Sequence, residues 1–176
     1  MKNNVSFNST LTKFGMGLFE TIKVTDYPLD LDLHMNRLFN SIKELNLSIE
    51  NDKEFYKETI LKYIKENNVK NKALRLTVFD EGYNISLRDI TYNEDTYKKG
   101  FSLCISPIKR GDSIIYRHKT TNYFESMYSK HYATDRNCDD AIFLDSLSNI
   151  LECSMSNIFF IKSNTIYTPK SSSPIL

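Results

Sequence analysis

Lys119 lies in Arg117-His118-Lys119-Thr120-Thr121-Asn122-Tyr123, just before a stretch that reads as a helix. A lysine amine that gives up its proton is a nucleophile toward carbonyl carbon and a carrier of protons. The positive end of a nearby helix dipole disfavours a second positive charge and so favours that neutral amine. Further along, Glu152 opens the run Glu152-Cys153-Ser154-Met155-Ser156-Asn157. A carboxylate can keep a cationic ring nitrogen protonated. Ser154, Ser156 and Asn157 have hydroxyls and backbone N–H groups of the kind that cradle phosphate; the same residue types also build ordinary turns. Arg37, in His34-Met35-Asn36-Arg37-Leu38, offers a planar fork suited to phosphate, or is simply an exposed helix arginine. His34 can be a base, a cap or a partly buried structural group, and the structural role is favoured. Phe14-Gly15-Met16-Gly17-Leu18-Phe19-Glu20-Thr21 allows a tight backbone before a strand. It is not a phosphate loop, because GxGxxG fails at Glu20 and no GK[ST] follows.

Local patterns give the elements that must position these side chains. Residues 19–24 read as a strand, followed by a turn at Asp26-Tyr27-Pro28. Leu33, Leu38, Ile42 and Leu45 recur at helical spacing, which predicts a helix over residues 31–46. Asp52 can cap a second helix that turns Phe55, Ile60, Tyr63 and Ile64 inward. Residues 73–79 and 83–89 pair as strands through Asp80-Glu81-Gly82, and residues 100–106 form another strand. Pro107 to Asp112 has linker chemistry. A helix over residues 122–136, with Tyr123, Met127 and Tyr128 on one side, precedes strands at 139–145, 149–152 and 156–162. Ser163-Asn164 is a hairpin signal, with the return strand at Ile166-Tyr167-Thr168. The expected organisation is α+β in two lobes: residues 1–106, a linker at 107–113, and a second lobe over 114–176.

Composition narrows the class of function. With 40% hydrophobic and 26% charged residues, the 176-residue chain can form a core. A net charge of +1, with scattered basic residues, gives no nucleic-acid or membrane-binding surface. No apolar run approaches the ~18 residues of a membrane span, and the first residues lack a signal-peptide core. Cys104, Cys138 and Cys153 are odd in number and lack CxxC spacing, so they imply neither a disulfide framework nor a metal site. They fit reduced thiols in the cytoplasm.

Four segments in order resemble the class IV aminotransferases, the fold-type IV enzymes of pyridoxal 5'-phosphate (PLP). These are Gly15-Met16-Gly17-Leu18-Phe19-Glu20-Thr21-Ile22, His34-Met35-Asn36-Arg37-Leu38, Lys119-Thr120-Thr121-Asn122-Tyr123, and Asp140-Ala141-Ile142-Phe143-Leu144-Asp145 leading to Glu152 and Ser156-Asn157-Ile158-Phe159. The resemblance implies a two-lobed fold-type IV architecture and PLP as cofactor. It implies that Lys119 is the Schiff-base lysine and proton carrier, and that Glu152 pairs with the pyridine nitrogen. Arg37 would bind the phosphate, Tyr123 the phenolic oxygen, and Ser154 to Ser156 the cofactor's edge. Phe19 would contact a small amino substrate. A homodimer is implied as well. In the family, the stretch ending at Ile175-Leu176 is normally followed by Gly, a branched residue, Thr and Arg, so the second lobe is expected to be incomplete here. Within the family, the wording Gly-Leu-Phe-Glu-Thr-Ile suggests aminodeoxychorismate lyase, which makes 4-aminobenzoate and pyruvate for folate synthesis. Branched-chain or D-amino-acid transamination is the alternative. A reading of another class is a catalytically inactive remnant that keeps a dimerising lobe.

Overall fold

The computed structural model describes residues 1–176. The chain divides into two compact units. One comprises Met1–Thr91 with Lys119–Asn122, and the other Tyr92–His118 with Tyr123–Leu176.

The first unit is a three-stranded antiparallel sheet with helices on one face. Its elements are α1 (Thr10–Phe14), β1 (Gly17–Val24), α2 (Leu31–Glu44), α3 (Lys53–Glu66), β2 (Lys72–Phe79) and β3 (Gly82–Asp89). The strand order is β1-β2-β3. Side chains alternate across a strand, so Leu18, Ile22 and Val24 share one face of β1 and Leu74, Leu76 and Val78 one face of β2. All six are buried in a single core with Met35 and Leu38 of α2 and Tyr56, Ile60 and Ile64 of α3. Asp52 caps α3 as expected, its carboxylate accepting the Phe55 N–H at 2.8 Å.

Most of the expected inward residues line the core: Leu38, Ile60 and Ile64 are buried in it and Ile42, Leu45 and Tyr63 pack against it, the exceptions being Leu33 and Phe55. On α2 the buried residues are Met35, Leu38 and Ser41, while Leu33 is exposed. On α3 Tyr56 turns inward and Phe55 outward. The apolar side chains are more numerous than the buried face can hold, so Leu33 and Phe55 fall outside it.

Two glycines shape the backbone entering β1. Gly15 ends α1 with φ +68°, a left-handed cap that disfavours any side chain. A Cβ on Gly17 would come within 2.9 Å of Leu11 Cδ1 and 3.1 Å of the Thr121 side chain. The bare backbone at Gly17 therefore lets residues 119–121 lie directly against β1.

The second unit holds α4 (Glu94–Lys99), β4 (Leu103–Arg110), a 3-10 turn at Ile114–Arg117, α5 (Phe124–Thr134), β5 (Asp140–Asp145), β6 (Ile150–Cys153), β7 (Phe160–Lys162) and β8 (Thr165–Tyr167). β4 and β5 are parallel, which requires a long crossover, and α5 lies within it. β5 then pairs antiparallel with β6. Residues 107–110, expected as the start of a linker, instead complete β4, since Lys109 and Arg110 pair with Leu144 and Asp145. α5 turns Ser126, Ser129 and Ala133 inward and leaves Met127 and Tyr128 exposed. These small residues allow close packing, and the Ser106 and Ser129 hydroxyls meet at 2.9 Å. The expected hairpin at Ser163-Asn164 is present, with both residues at positive φ (47° and 62°), as a two-residue type I′ turn requires.

Ile22 is fully buried at the centre of the first unit's core. Ile22→Ala is expected to lower stability by about 2–5 kcal/mol in a denaturant titration.

Candidate active site

β1 carries different chemistry on its two faces. On the face away from α2, Phe19 is buried and Arg75 of β2 lies over its ring, with Cζ 3.6 Å from the centroid. Lys119 reaches the same ring, its Nζ 5.0 Å from the centroid. The backbone places it there. The Phe19 N–H donates to the Lys119 carbonyl at 2.9 Å, and the Thr121 N–H donates to the Gly17 carbonyl at 2.8 Å. The Thr121 hydroxyl adds a bond to the Gly15 carbonyl at 2.6 Å. Thus residues 119–121 extend the edge of β1 by one short antiparallel segment, and Leu18 and Thr120 form a bridge. Two cations around one aromatic ring make an electropositive patch suited to an anionic ligand.

On the opposite face, Glu20 is 1% exposed and points toward α2. Its carboxylate accepts from Arg37 Nε at 2.7 Å and Arg37 Nη2 at 2.6 Å. It also meets His34 Nδ1 at 2.7 Å. An ionised carboxylate only accepts, so Nδ1 carries the proton in this contact. Burial pushes the Glu20 carboxyl upward, but the hydrogen bonds and charges of Arg37 and His34 outweigh it and hold the group below 4.5. His34 thus has the structural role favoured from its sequence setting. Arg37 is anchored by a carboxylate, an arrangement that its surrounding sequence did not reveal.

In the second unit Glu152 lies on β6 and is buried. Arg110, at the end of β4, donates from Nη1 to Glu152 Oε1 at 2.5 Å, with both side chains less than a tenth exposed. The guanidinium lies over Phe143, 3.8 Å from its centroid, and faces Tyr116 at 4.9 Å. Its Nη2 reaches the Ser126 hydroxyl at 3.3 Å, and its buried Nε–H has no partner. The other Glu152 oxygen accepts the Leu176 N–H at 3.2 Å. Glu152 borders a cavity of about 510 Å³ with Leu151, Asn157, Ile158, Lys170 and Leu176 on its walls. That volume is within the range of small-molecule sites.

Tyr123 stands at the N-cap position of α5. Ser154 and Ser156 turn their hydroxyls to the buried Asp140, the Ser154 bond being short and the Ser156 bond 3.4 Å. The Met155 N–H points to the same carboxylate at 3.4 Å. As placed, these groups stabilise the turn after β6 through Asp140.

The structure therefore brings Lys119 and Phe19 together and adds Arg75, which sequence reasoning missed. Arg75 sits in the alternating run Ala73-Leu74-Arg75-Leu76-Thr77, where a charged residue on the face opposite the leucines is the available signal. Arg110 was also missed, because Lys109-Arg110-Gly111-Asp112 reads as a turn and its pairing with Glu152 is made by a nonlocal parallel strand. Glu20 lies within the Gly15–Ile22 motif with no local sign of its pairing. Its partners lie at i+14 and i+17, a spacing that local periodicity does not register.

The amino-transferase class IV family matches residues 17–176, and the chain belongs to this family. Its members are PLP enzymes. The branched-chain-amino-acid aminotransferase of Pseudomonas aeruginosa is 27% identical over 89% of this chain and 59% of its own length. The aminodeoxychorismate lyase of Bacillus subtilis is also 27% identical, over 93% of this chain and 61% of its own length. The chain thus spans about three fifths of these curated relatives. A solved structure of the T.th. branched-chain amino acid aminotransferase with pyridoxamine 5'-phosphate is similar in fold at 23% identity. Its TM-score is 0.89, and the match covers 99% of this chain and 65% of that one. No helix is long and apolar enough to cross a membrane.

Two outcomes are expected from these ion pairs. Arg110→Met leaves a buried carboxylate unpaired and is expected to cost about 3–5 kcal/mol in equilibrium unfolding, most of it regained in Arg110→Met/Glu152→Leu. Because the folded Glu20 carboxyl is held low, its contribution is fully present above pH 4.5 and is lost as pH falls through the lower folded value. Stability measured against pH is therefore expected to fall less steeply on the acid side in Glu20→Gln than in the parent chain.

Proposed function

We propose that this chain carries the lysine and carboxylate of a PLP-dependent class IV enzyme acting on a small amino substrate, with aminodeoxychorismate lyase as the favoured reaction. The observation that carries the reading is the backbone attachment of Lys119 to β1, which holds its amine at the Phe19 ring beside Arg75. Each unit offers groups of the kind the cofactor takes: in the first, an amine on a fixed backbone and, on the other face of β1, an arginine held by a carboxylate; in the second, a buried carboxylate bordering a cavity. When bound, PLP supplies an electron sink for charge developing at the substrate's α-carbon.

The chain's residues divide the remaining work. Lys119 would hold the cofactor by its carbonyl carbon and would move a proton at the substrate's α-carbon. Glu152 would keep the ring nitrogen protonated, and Arg110 fixes the direction of that carboxylate. Arg37 would anchor the phosphate and Tyr123 would meet the phenolic oxygen. Ser154 and Ser156 would line the cofactor's edge from the turn that Asp140 organises. Phe19 packs against the substrate, and Arg75 attracts its carboxylate.

The lyase preference draws on the Bacillus subtilis relative, matched over 93% of this chain, and on the Arg75 guanidinium over Phe19, which suits a substrate bearing carboxylate. Transamination of branched-chain or D-amino acids is the second reading, supported by relatives such as the Rickettsia felis protein, called a probable branched-chain-amino-acid aminotransferase and 30% identical. Assembly as a homodimer in the cytoplasm belongs to the same proposal; three free cysteines fit a reducing compartment.

Titration with PLP is expected to produce an absorption band in the near-UV to visible range that is absent in Lys119→Ala. No band in the parent chain contradicts PLP binding by these residues. Formation of pyruvate with 4-aminobenzoate supports the lyase reading, whereas amino transfer to 2-oxoglutarate without pyruvate overturns it in favour of transamination.

A further inference from the structure

Glu20 is a carboxylate where the alternation of β1 calls for an apolar side chain. It shares the α2-facing side of the strand with Leu18, Ile22 and Val24, which are all core residues. A buried ion pair is a costly way to fill such a position, because well-packed apolar residues of similar volume are often no less stabilising. The geometry of the pair supplies a role besides stability.

Glu20 meets Arg37 side-on. Oε1 accepts from Nε at 2.7 Å, and Oε2 accepts from Nη2 at 2.6 Å. Two parallel bonds of this kind fix both the position and the plane of a guanidinium. They engage one edge of the fork, so the edge carrying Nη1 is turned away from Glu20 by the covalent geometry of the group. His34 lies one helical turn before Arg37 on α2, and its Nδ1–H donates to Oε2 at 2.7 Å. That third bond ties the carboxylate to α2 at a second point, so it cannot follow Arg37 if the arginine swings. Exposure rises along the chain of contacts: Glu20 is sealed in, His34 is 21% exposed and Arg37 44%. Glu20 also follows Phe19, whose N–H holds the Lys119 carbonyl. Adjacent residues of one strand thus fix the backbone of the lysine and the head of the arginine.

We propose that Glu20 is a positioning residue: braced by His34, it holds the Arg37 guanidinium oriented for a phosphate monoester, the 5'-phosphate of the cofactor. The inference rests on Arg37 being the phosphate anchor of the proposed function. A carboxylate that only neutralised Arg37 would have the opposite effect. Its charge would weaken the pull of Arg37 on an anion, and removing it would tighten phosphate binding. An orienting carboxylate strengthens binding, because without it the phosphate must itself immobilise a long side chain. That cost is about two- to tenfold in affinity.

The test titrates the full chain with PLP and with pyridoxal, which lacks the phosphate, and reads the ratio of the two dissociation constants by absorbance. Circular dichroism checks that each variant is folded. Glu20→Gln keeps the shape of the side chain but sets an amide N–H against the arginine fork. It is expected to lower the advantage of PLP over pyridoxal by about two- to tenfold and to leave pyridoxal binding unchanged. His34→Ala should give a smaller loss in the same ratio. His34→Asn, whose amide can donate in place of Nδ1, should restore it, and this pair carries the test if Glu20→Gln does not fold. Arg37→Met should abolish the advantage, and adding Glu20→Gln to it should change nothing further. If the ratio is lost in Arg37→Met but unchanged or raised in folded Glu20→Gln, the positioning role is overturned and the phosphate role of Arg37 stands. An unchanged ratio in Arg37→Met, or no preference for PLP in the parent chain, overturns both. Equal losses for PLP and pyridoxal in Glu20→Gln mark a merely structural residue and also overturn the proposal.

Discussion

Two backbone hydrogen bonds hold Lys119 where its side chain can be used. Phe19 N–H to Lys119 O, and Thr121 N–H to Gly17 O, attach residues 119–121 to the edge of β1. A lysine on a free loop would distribute its amine over many positions, and ordering it would cost conformational entropy at each encounter. Here the sheet has already imposed that order. The arrangement needs no side chain at Gly17 and a left-handed cap at Gly15. The two glycines are thus requirements of the lysine's position, although neither carries chemistry. The core beneath β1 is equally necessary, because an edge can guide another segment only if its own strand is fixed.

Both units place a buried carboxylate against an arginine, but they complete the surroundings differently. Glu20 receives a two-point arginine contact and a histidine N–H, so its charge is well satisfied. Arg37 is 44% exposed, so that pair retains contact with solvent. The Arg110–Glu152 pair is almost wholly enclosed, with the guanidinium supported by Phe143 and Ser126 and one buried N–H unpartnered. Enclosed charges interact strongly and tolerate loss of a partner poorly. This makes Arg110 the residue through which the direction of Glu152 is set, a contact that the residue types of β4 do not advertise.

Features governed by neighbours in sequence were the most legible. Asp52 bonding the Phe55 N–H and Ser163-Asn164 closing a hairpin are local devices, and each is present where its residue types indicated. Two short helices escaped notice, α1 and α4. The first depends on Ser9 and on Asp80, seventy residues away, and the second on an Asn93–Thr96 capping box rather than on an apolar stripe. On α2 and α3 only Leu33 and Phe55 depart from the expected inward set, because periodicity marks where apolar residues recur without showing how close the neighbouring sheet lies. α5 shows this most clearly, since its buried side is Ser126, Ser129 and Ala133. β4 runs later than its pattern suggested because its partner, β5, lies across a helical crossover. The same nonlocal pairing hid Arg110.

The lysine assignment is open to direct chemical test. The chain should be incubated with PLP, treated with borohydride, digested and mapped by mass spectrometry. The account predicts one dominant phosphopyridoxyl modification, on Lys119, with little on the other lysines. Modification spread over surface lysines, or concentrated on a lysine other than Lys119, would contradict it.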